Sequence, residues 1–382
     1  MIYLDNCATT KPRKEVIDVM MEALTDNFAN PSSLHSLGHS AEKKVEEARK
    51  NVAKLVNASP NEIYFTSGGT EDNNIALHGL IKKNKRRGNK IITSSIEHAS
   101  VIDQLKHYKE EGFEIVEISV DRHGNLNIEE LINEVDENTI VVSLFHINNE
   151  VGSINDIENI VKKVKSKNKN VLIHVDGVQA FGKIKVDLKQ LNCDTYSMSG
   201  HKIYAPKGTG ALYVKNGLKI DSLVIGGGQE DGLRSGTENV PGILGLGKAA
   251  EITFRDFNKE HEHVIETKKD LIDKINDNFD DFEFNQAENS SPYIVSVSFR
   301  NVRAEVLLHF LETEEIYIST ASACTSNGTH KSHVLDAIGL DSKLSEGTIR
   351  ICLSKDINRE DIDVFIEALK KYVNEIREIM KR

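Results

Sequence analysis

Lys202 differs from most lysines of this chain, which lie on charged stretches such as AEKKVEEARK, residues 41–50, where water solvates them. It sits in TYSMSGHKIYAPKGTG, residues 195–210, at a tight turn between His201 and the apolar pair Ile203 and Tyr204. Desolvation disfavours the ammonium form, and a neutral amine can form a Schiff base with an aldehyde cofactor. On this turn alone a lysine snorkelling from a loop is the simpler reading. Asp176 shifts the balance. It ends the apolar run VLIHVD, residues 171–176. A buried carboxylate is costly unless it meets a cation, and a protonated ring nitrogen, as in pyridoxal-phosphate enzymes, is one such cation. The alternative is an aspartate capping a turn. Its pairing with Lys202 one strand later favours the cofactor.

Other residues carry chemistry of their own. Ser67-Gly68-Gly69-Thr70 follows a strand and opens a helix, where free N–H groups suit an anion; a plain tight turn reads equally well. His98 can stack on a planar ring and move protons, or be a hydrogen-bonded core histidine. Cys324 lies in STASACTSNGTH, residues 319–330, among small polar residues that cannot bury a thiol, and so is a candidate nucleophile. Arg350 alternates with apolar neighbours in TIRICLS, so a carboxylate partner is expected, either a ligand or a structural ion pair. Cys352 on the same strand reads as core. The segment from Gly226 to Asn239 reads as a shaped loop near an anion or as a flexible linker. His98, His146, His174 and His201 have no ligand-pair spacing, and no metal site is expected.

These residues need positioning. Apolar runs of strand length occur at 62–67, 90–96, 114–120, 139–147, 171–175, 195–199 and 210–214, with helical stretches between most of them. That alternation predicts an α/β fold with a mainly parallel sheet covered on both faces. Ligands gather at the carboxyl ends of such strands, and five of them run into Ser67–Glu71, Glu97-His98, Asn148–Glu150, Asp176–Gln179 and Gly200–Lys202. Helices are expected over 13–26 and 40–56, with a polar loop at 30–40. A long helix from about Pro241 to Asp277 links to a smaller α+β unit. That unit has strands at 292–299, 315–318 and 347–353, helices at 303–312, 331–338 and 359–380, and a small-residue loop at 319–329. The expected division is a large domain over 15–255 and a small domain from 1–14 and 256–382.

The chain has 382 residues, 39% apolar and 28% charged, which suits a globular protein of two domains. A formal charge of −11 argues against broad nucleic-acid or anionic-membrane binding. The basic run KKNKRR, residues 82–87, reads as a solvated helix end, with an RNA contact as the alternative. No signal peptide or membrane-spanning run is expected. Four widely spaced cysteines suggest reduced thiols in a cytoplasm.

The motifs DNCATT, SGGTEDNN, IEHASV, NNEVG, HVDGVQ, SGHKIYAPKGTGALYV, GGGQEDGLRSGTEN and SACTS, in this order over nearly the whole chain, resemble cysteine desulfurases of the NifS/IscS type. The shorter motifs are shared with other class V aminotransferase relatives. The resemblance implies a fold type I pyridoxal-phosphate enzyme with a seven-stranded sheet, working as a homodimer. It implies that Lys202 holds the cofactor, Asp176 pairs with the ring nitrogen and Gln179 with the phenolic oxygen. His98 would stack on the ring. Gly69, Thr70, Ser199 and His201 would hold the phosphate, with Thr237 reaching it from the other subunit, and Asn149 and Arg350 would bind the substrate carboxylate. Cys324 matches the persulfide-forming cysteine.

The activity implied is conversion of L-cysteine to L-alanine, with sulfur passed to an iron–sulfur scaffold or sulfur carrier, for cluster assembly or tRNA thiolation. Alternatives are another class V enzyme, such as an aminotransferase or selenocysteine lyase, and a catalytically quiet scaffold. Three features depart from the pattern. Ala321 stands where glycine is frequent, the chain is short after its last helix, and Cys7 stands where another small or polar residue is usual. Cys7 reads as a packed cysteine or as a second reactive thiol.

Overall fold

The computed structural model describes residues 1–320 and 332–380. Seven strands form the main sheet in the order Ile63–Thr66, Gly210–Val214, Thr195–Ser199, Leu172–Asp176, Thr139–Phe145, Lys90–Ser94, Glu114–Ile118. Gly210–Val214 runs antiparallel to both neighbours, and the remaining pairings are parallel. Every residue of Thr139–Phe145 and Thr195–Ser199 is buried, as expected of strands covered on both faces. The fold is α/β, and the carboxyl ends of its parallel strands point to one edge.

A second sheet is antiparallel, in the order Ser319–Thr320, Thr348–Cys352, Ile294–Phe299, Phe282–Phe284. Phe282–Phe284 was not expected; three half-exposed residues give little periodicity to read. The first residues of the chain are extended, and Ile2–Tyr3 pairs in parallel with Ile316–Tyr317.

The long helix Val240–Asn278 is a single piece of 39 residues, about 58 Å long. Near its start it packs tightly on Ser36–Leu55: a Cβ on Gly247 would lie 2.4 Å from that of Ala48. Near its end Lys274 pairs with Asp363 of helix Arg359–Met380 at 2.6 Å. It therefore touches elements around both sheets. The polar segment 30–40 is not all loop, because helix Ser36–Leu55 begins inside it, capped by the His35 ring, which accepts from the Gly38 N–H at 3.2 Å. A histidine cap is rarer than serine or aspartate, so the start was misread. Of the expected loop 319–329, Ser319 and Thr320 form a short strand, while Cys324 lies outside the described residues.

Candidate active site

Asp176 ends its strand with both carboxylate oxygens engaged. Oδ2 accepts from Asn73 Nδ2 at 2.8 Å, and Oδ1 from the Val178 N–H at 3.0 Å. Among the described residues no cationic side chain pairs with this buried carboxylate. Asn73 fixes its surroundings. Its Oδ1 takes the Ser197 hydroxyl at 2.7 Å and His174 Nε2 at 3.0 Å, so Nε2 carries the ring proton and Nδ1 accepts from Thr195 at 2.9 Å. Burial lowers the His174 pKa to about 4, which keeps that ring neutral. Asn73 Nδ2 also donates to Ser100 at 2.8 Å, and Ser100 meets His98 Nδ1 at 2.9 Å. His98 is exposed, not a core histidine, and caps the helix Ala99–Glu110.

Helix Gly69–Asn84 opens beside Asp176. Gly68 has φ +145°, and a Cβ on Gly69 would lie 2.3 Å from Val178 Cγ2, so both positions exclude larger residues. The buried Asp72 ties this first turn to the sheet, accepting from Thr66 Oγ1 at 2.6 Å and from the Met198 N–H at 3.2 Å. Thr70, Ser199 and His201 line the cavity together with Gly69 of that turn. Glu71, also in the first turn, pairs with Arg234 at 3.0 Å.

Lys202 donates to the carbonyls of Cys7 and, at 3.0 Å, of Ala8. Burial first, and then the like charge of Lys183, lower its pKa to about 8. Gln179 is oriented by two bonds: Lys183 Nζ donates to its Oε1 at 2.8 Å, and its Nε2 donates to the Cys7 carbonyl at 3.1 Å. The buried Arg350 donates to the Asn149 carbonyl and to Asp5 Oδ1, both at 3.0 Å. The expected carboxylate partner is therefore present as Asp5, yet Arg350 Nε has no acceptor among the described residues.

Gly69, Thr70, His98, Asn149, Asp176, Gln179, Ser199, His201, Lys202 and Arg350 all line one cavity of about 400 Å³. Thr237 does not; it is exposed on the surface. The Gly226–Asn239 segment is no flexible linker. Glu230 anchors it, pairing with Arg49 at 2.7 Å and accepting from the Phe65 N–H at 2.8 Å. His146 meets the Tyr196 hydroxyl at 2.9 Å, and no group of three or more His, Cys, Asp or Glu suited to a metal occurs among the described residues. The sequence reading missed Asn73, Ser100 and Asp5. Asn73 lies one turn into a helix that starts at the strand ends, where a single asparagine breaks no periodic pattern.

The class-V aminotransferase family model matches residues 2–365. The chain belongs to that family. Within it the resemblance is to cysteine desulfurases: the protein named cysteine desulfurase IscS of Clostridium botulinum is 41% identical over 99% of this chain and 96% of its own. A solved NifS-like protein superposes with TM-score 0.92 at 38% identity, covering 98% of this chain and 99% of that one. A structure described as SspA in complex with cysteine gives 0.80 at 32% identity, covering 93% and 99%. This class-V chain shares the fold type I architecture of those NifS-like enzymes, and the family is one that uses pyridoxal phosphate.

Proposed function

We propose that this protein is a cysteine desulfurase that binds pyridoxal phosphate in the 400 Å³ cavity and transfers the sulfur of L-cysteine to Cys324. One observation carries the reading. A desolvated amine, an unpaired buried carboxylate, a helix N-terminus and a guanidinium with an open Nε converge on one space. The residues fit the cofactor. Asp176 supplies the counter-charge for a protonated ring nitrogen, the first turn from Gly69 with Thr70, Ser199 and His201 suits a phosphate, and Gln179 lines the same cavity.

When bound, the cofactor supplies the electron sink for bond breaking at the substrate α-carbon. Lys202, already inclined to be neutral, holds the cofactor at rest and takes the α-proton once released. Arg350 Nε and Asn149 would hold the substrate carboxylate, and His98, exposed and lining the cavity, would stack on the cofactor ring. The substrate carbon–sulfur bond breaks as a sulfur–sulfur bond forms at Cys324, leaving a persulfide there and L-alanine as product. The SACTS surroundings resemble the long-loop group, which hands sulfur to an iron–sulfur scaffold or sulfur carrier.

A second copy of this chain is part of the proposal. Met21, Leu24, Phe28, Leu34 and Leu37 are exposed on and beside the first two helices, as is Ile225, and a partner would cover such a surface. Thr237 would then reach the partner's phosphate site. The domain division is also proposed, with the boundary inside helix Val240–Asn278 and residues 1–14 joined to the second unit through Ile2–Tyr3. Cys7, Cys193 and Cys352 are free thiols, which suits a reducing cytoplasm. Among the described residues no helix is long and apolar enough to cross a membrane.

The test is intact-mass and peptide mapping after L-cysteine is added, with Cys324→Ala alongside. One sulfur gained at Cys324, with alanine released and both lost in the variant, is expected. Cofactor bound without sulfur gain at Cys324 would move the assignment to an aminotransferase or lyase.

A further inference from the structure

Cys324 stands between two fixed points of the chain. Four residues before it, Thr320 ends a short strand whose Ser319 lines the cavity and pairs in register with Arg350. Eight residues after it, Ser332 opens the helix His333–Ala337.

This second point carries a buried polar anchor that the desulfurase chemistry does not use. Ser332 Oγ donates to Glu150 Oε2 at 2.5 Å and accepts from the Leu335 N–H at 3.2 Å, so one hydroxyl caps the helix and ties it to Glu150. Both residues are buried. His333 Nε2 donates to the Glu97 carbonyl at 3.0 Å. Beside these bonds Val334, Leu335 and Ile338 pack in one cluster with Ile96, Phe145 and Val151, and Ile96 and Phe145 also line the cavity.

Glu150 is itself held in place. Its N–H and that of Val151 donate to Asn148 Oδ1 at 2.8 and 2.9 Å, and Asn148 Nδ2 donates to the Ile96 carbonyl at 3.0 Å. The anchor therefore grips the residue after Asn149 and the residue before His98, and Asn149 and His98 both line the cavity. A buried carboxyl is expensive beside an apolar cluster that could hold the helix alone. What it adds is direction, because apolar packing is non-directional and a hydrogen bond is not.

We propose that Glu150 and Ser332 are positioning residues for sulfur transfer: their bond fixes the point at which the chain rejoins the cavity wall after Cys324, and so sets the approach of that thiol to the substrate sulfur. A chain held at both ends reaches fewer places than one held at one end, which raises the effective concentration of a group between them. At ~3.6 Å per residue, four residues from Thr320 alone allow a radius of ~14 Å, far wider than the ~3–3.5 Å contact that bond formation needs. The proposal rests on the desulfurase reading. Glu150 and Ser332 lie behind the cavity lining rather than in it, so the response of the cofactor to L-cysteine should not depend on their bond.

The experiment uses full-length protein carrying its cofactor. Rapid-quench peptide mapping follows sulfur gain at Cys324 in a single turnover. Absorbance titration gives the L-cysteine concentration that half-changes the cofactor spectrum. In Glu150→Ala the helix cap survives and the bond is lost; sulfur gain should slow by at least about tenfold while the half-change concentration stays within about twofold. Glu150→Gln keeps an oxygen that accepts from Ser332 and should restore most of the rate. Ser332→Ala leaves Glu150 in place, should match the slowing, and serves where Glu150→Ala is unstable. An unchanged rate in the alanine variants would overturn the proposal. So would a glutamine variant as slow as the alanine one, or a parallel loss of the spectral response, which would mark general damage to the cavity. No sulfur gain at Cys324 in the unmodified chain would overturn the desulfurase reading, and this proposal with it.

Discussion

The two walls of the cavity are built on different principles. The wall on the main sheet is dense and local to the strand ends: Asn73, Asp176, His174, Ser197 and Ser100 form one connected network. The facing wall is assembled from segments remote in sequence. Arg350 reaches Asp5 and the Asn149 carbonyl, and the Cys352 N–H donates to the Leu4 carbonyl at 2.7 Å. On the proposed reading the first wall would fix the cofactor in one orientation. The second leaves Arg350 Nε open and would carry the groups that meet the substrate.

The contrast can be broken from the second wall first. Arg350→Ala removes the guanidinium and leaves Asp5 without its partner. We expect the KM for L-cysteine to rise roughly 10²-fold, in line with loss of about 1.5–3 kcal/mol from a charged hydrogen bond, while cofactor absorbance persists. Steady-state alanine formation beside the absorption spectrum separates the two walls, and loss of the cofactor in this variant would erase the distinction. Asn73→Ala attacks the other wall and leaves several buried polar groups unsatisfied. The expected stability loss is about 2 kcal/mol, read by denaturant melts of the cofactor-free protein, with weakened cofactor retention.

Two smaller effects sharpen the comparison. Lys183→Met removes a like charge near Lys202, whose other charged neighbours are Arg350, Cys7 and Cys352. The midpoint for amine labelling of Lys202 in cofactor-free protein should move up from about 8 toward the ordinary 10.5. An unchanged midpoint would assign the shift to burial alone. Glu150 is buried, and burial raises its carboxyl from 4.5 to about 7 against the pull of Ser332 and Arg350. The folded state then holds a proton that the unfolded state releases, so stability falls as pH rises from about 4.5 to about 7. Glu150→Gln should flatten that part of the profile, measured by melts across the window.

How far each wall could be read from sequence follows from the same difference. Strand ends, the SGGT turn and Lys202 are local patterns, and the alternation of apolar runs sets the parallel sheet that aligns them. Asn73 escaped because a single asparagine early in a helix carries no periodic signal. The Arg350–Asp5 pair escaped because it joins residues 345 positions apart, and strand grammar says nothing about such pairings. The early start of helix Ser36–Leu55 was hidden by a histidine cap within a polar run.

Borohydride reduction of the purified protein followed by peptide mapping tests the cavity most directly. A single pyridoxyl-phosphate adduct on Lys202, absent in Lys202→Ala, is the predicted result. An adduct on another lysine, or none in protein supplied with pyridoxal phosphate, would contradict the assignment of this cavity as the cofactor site.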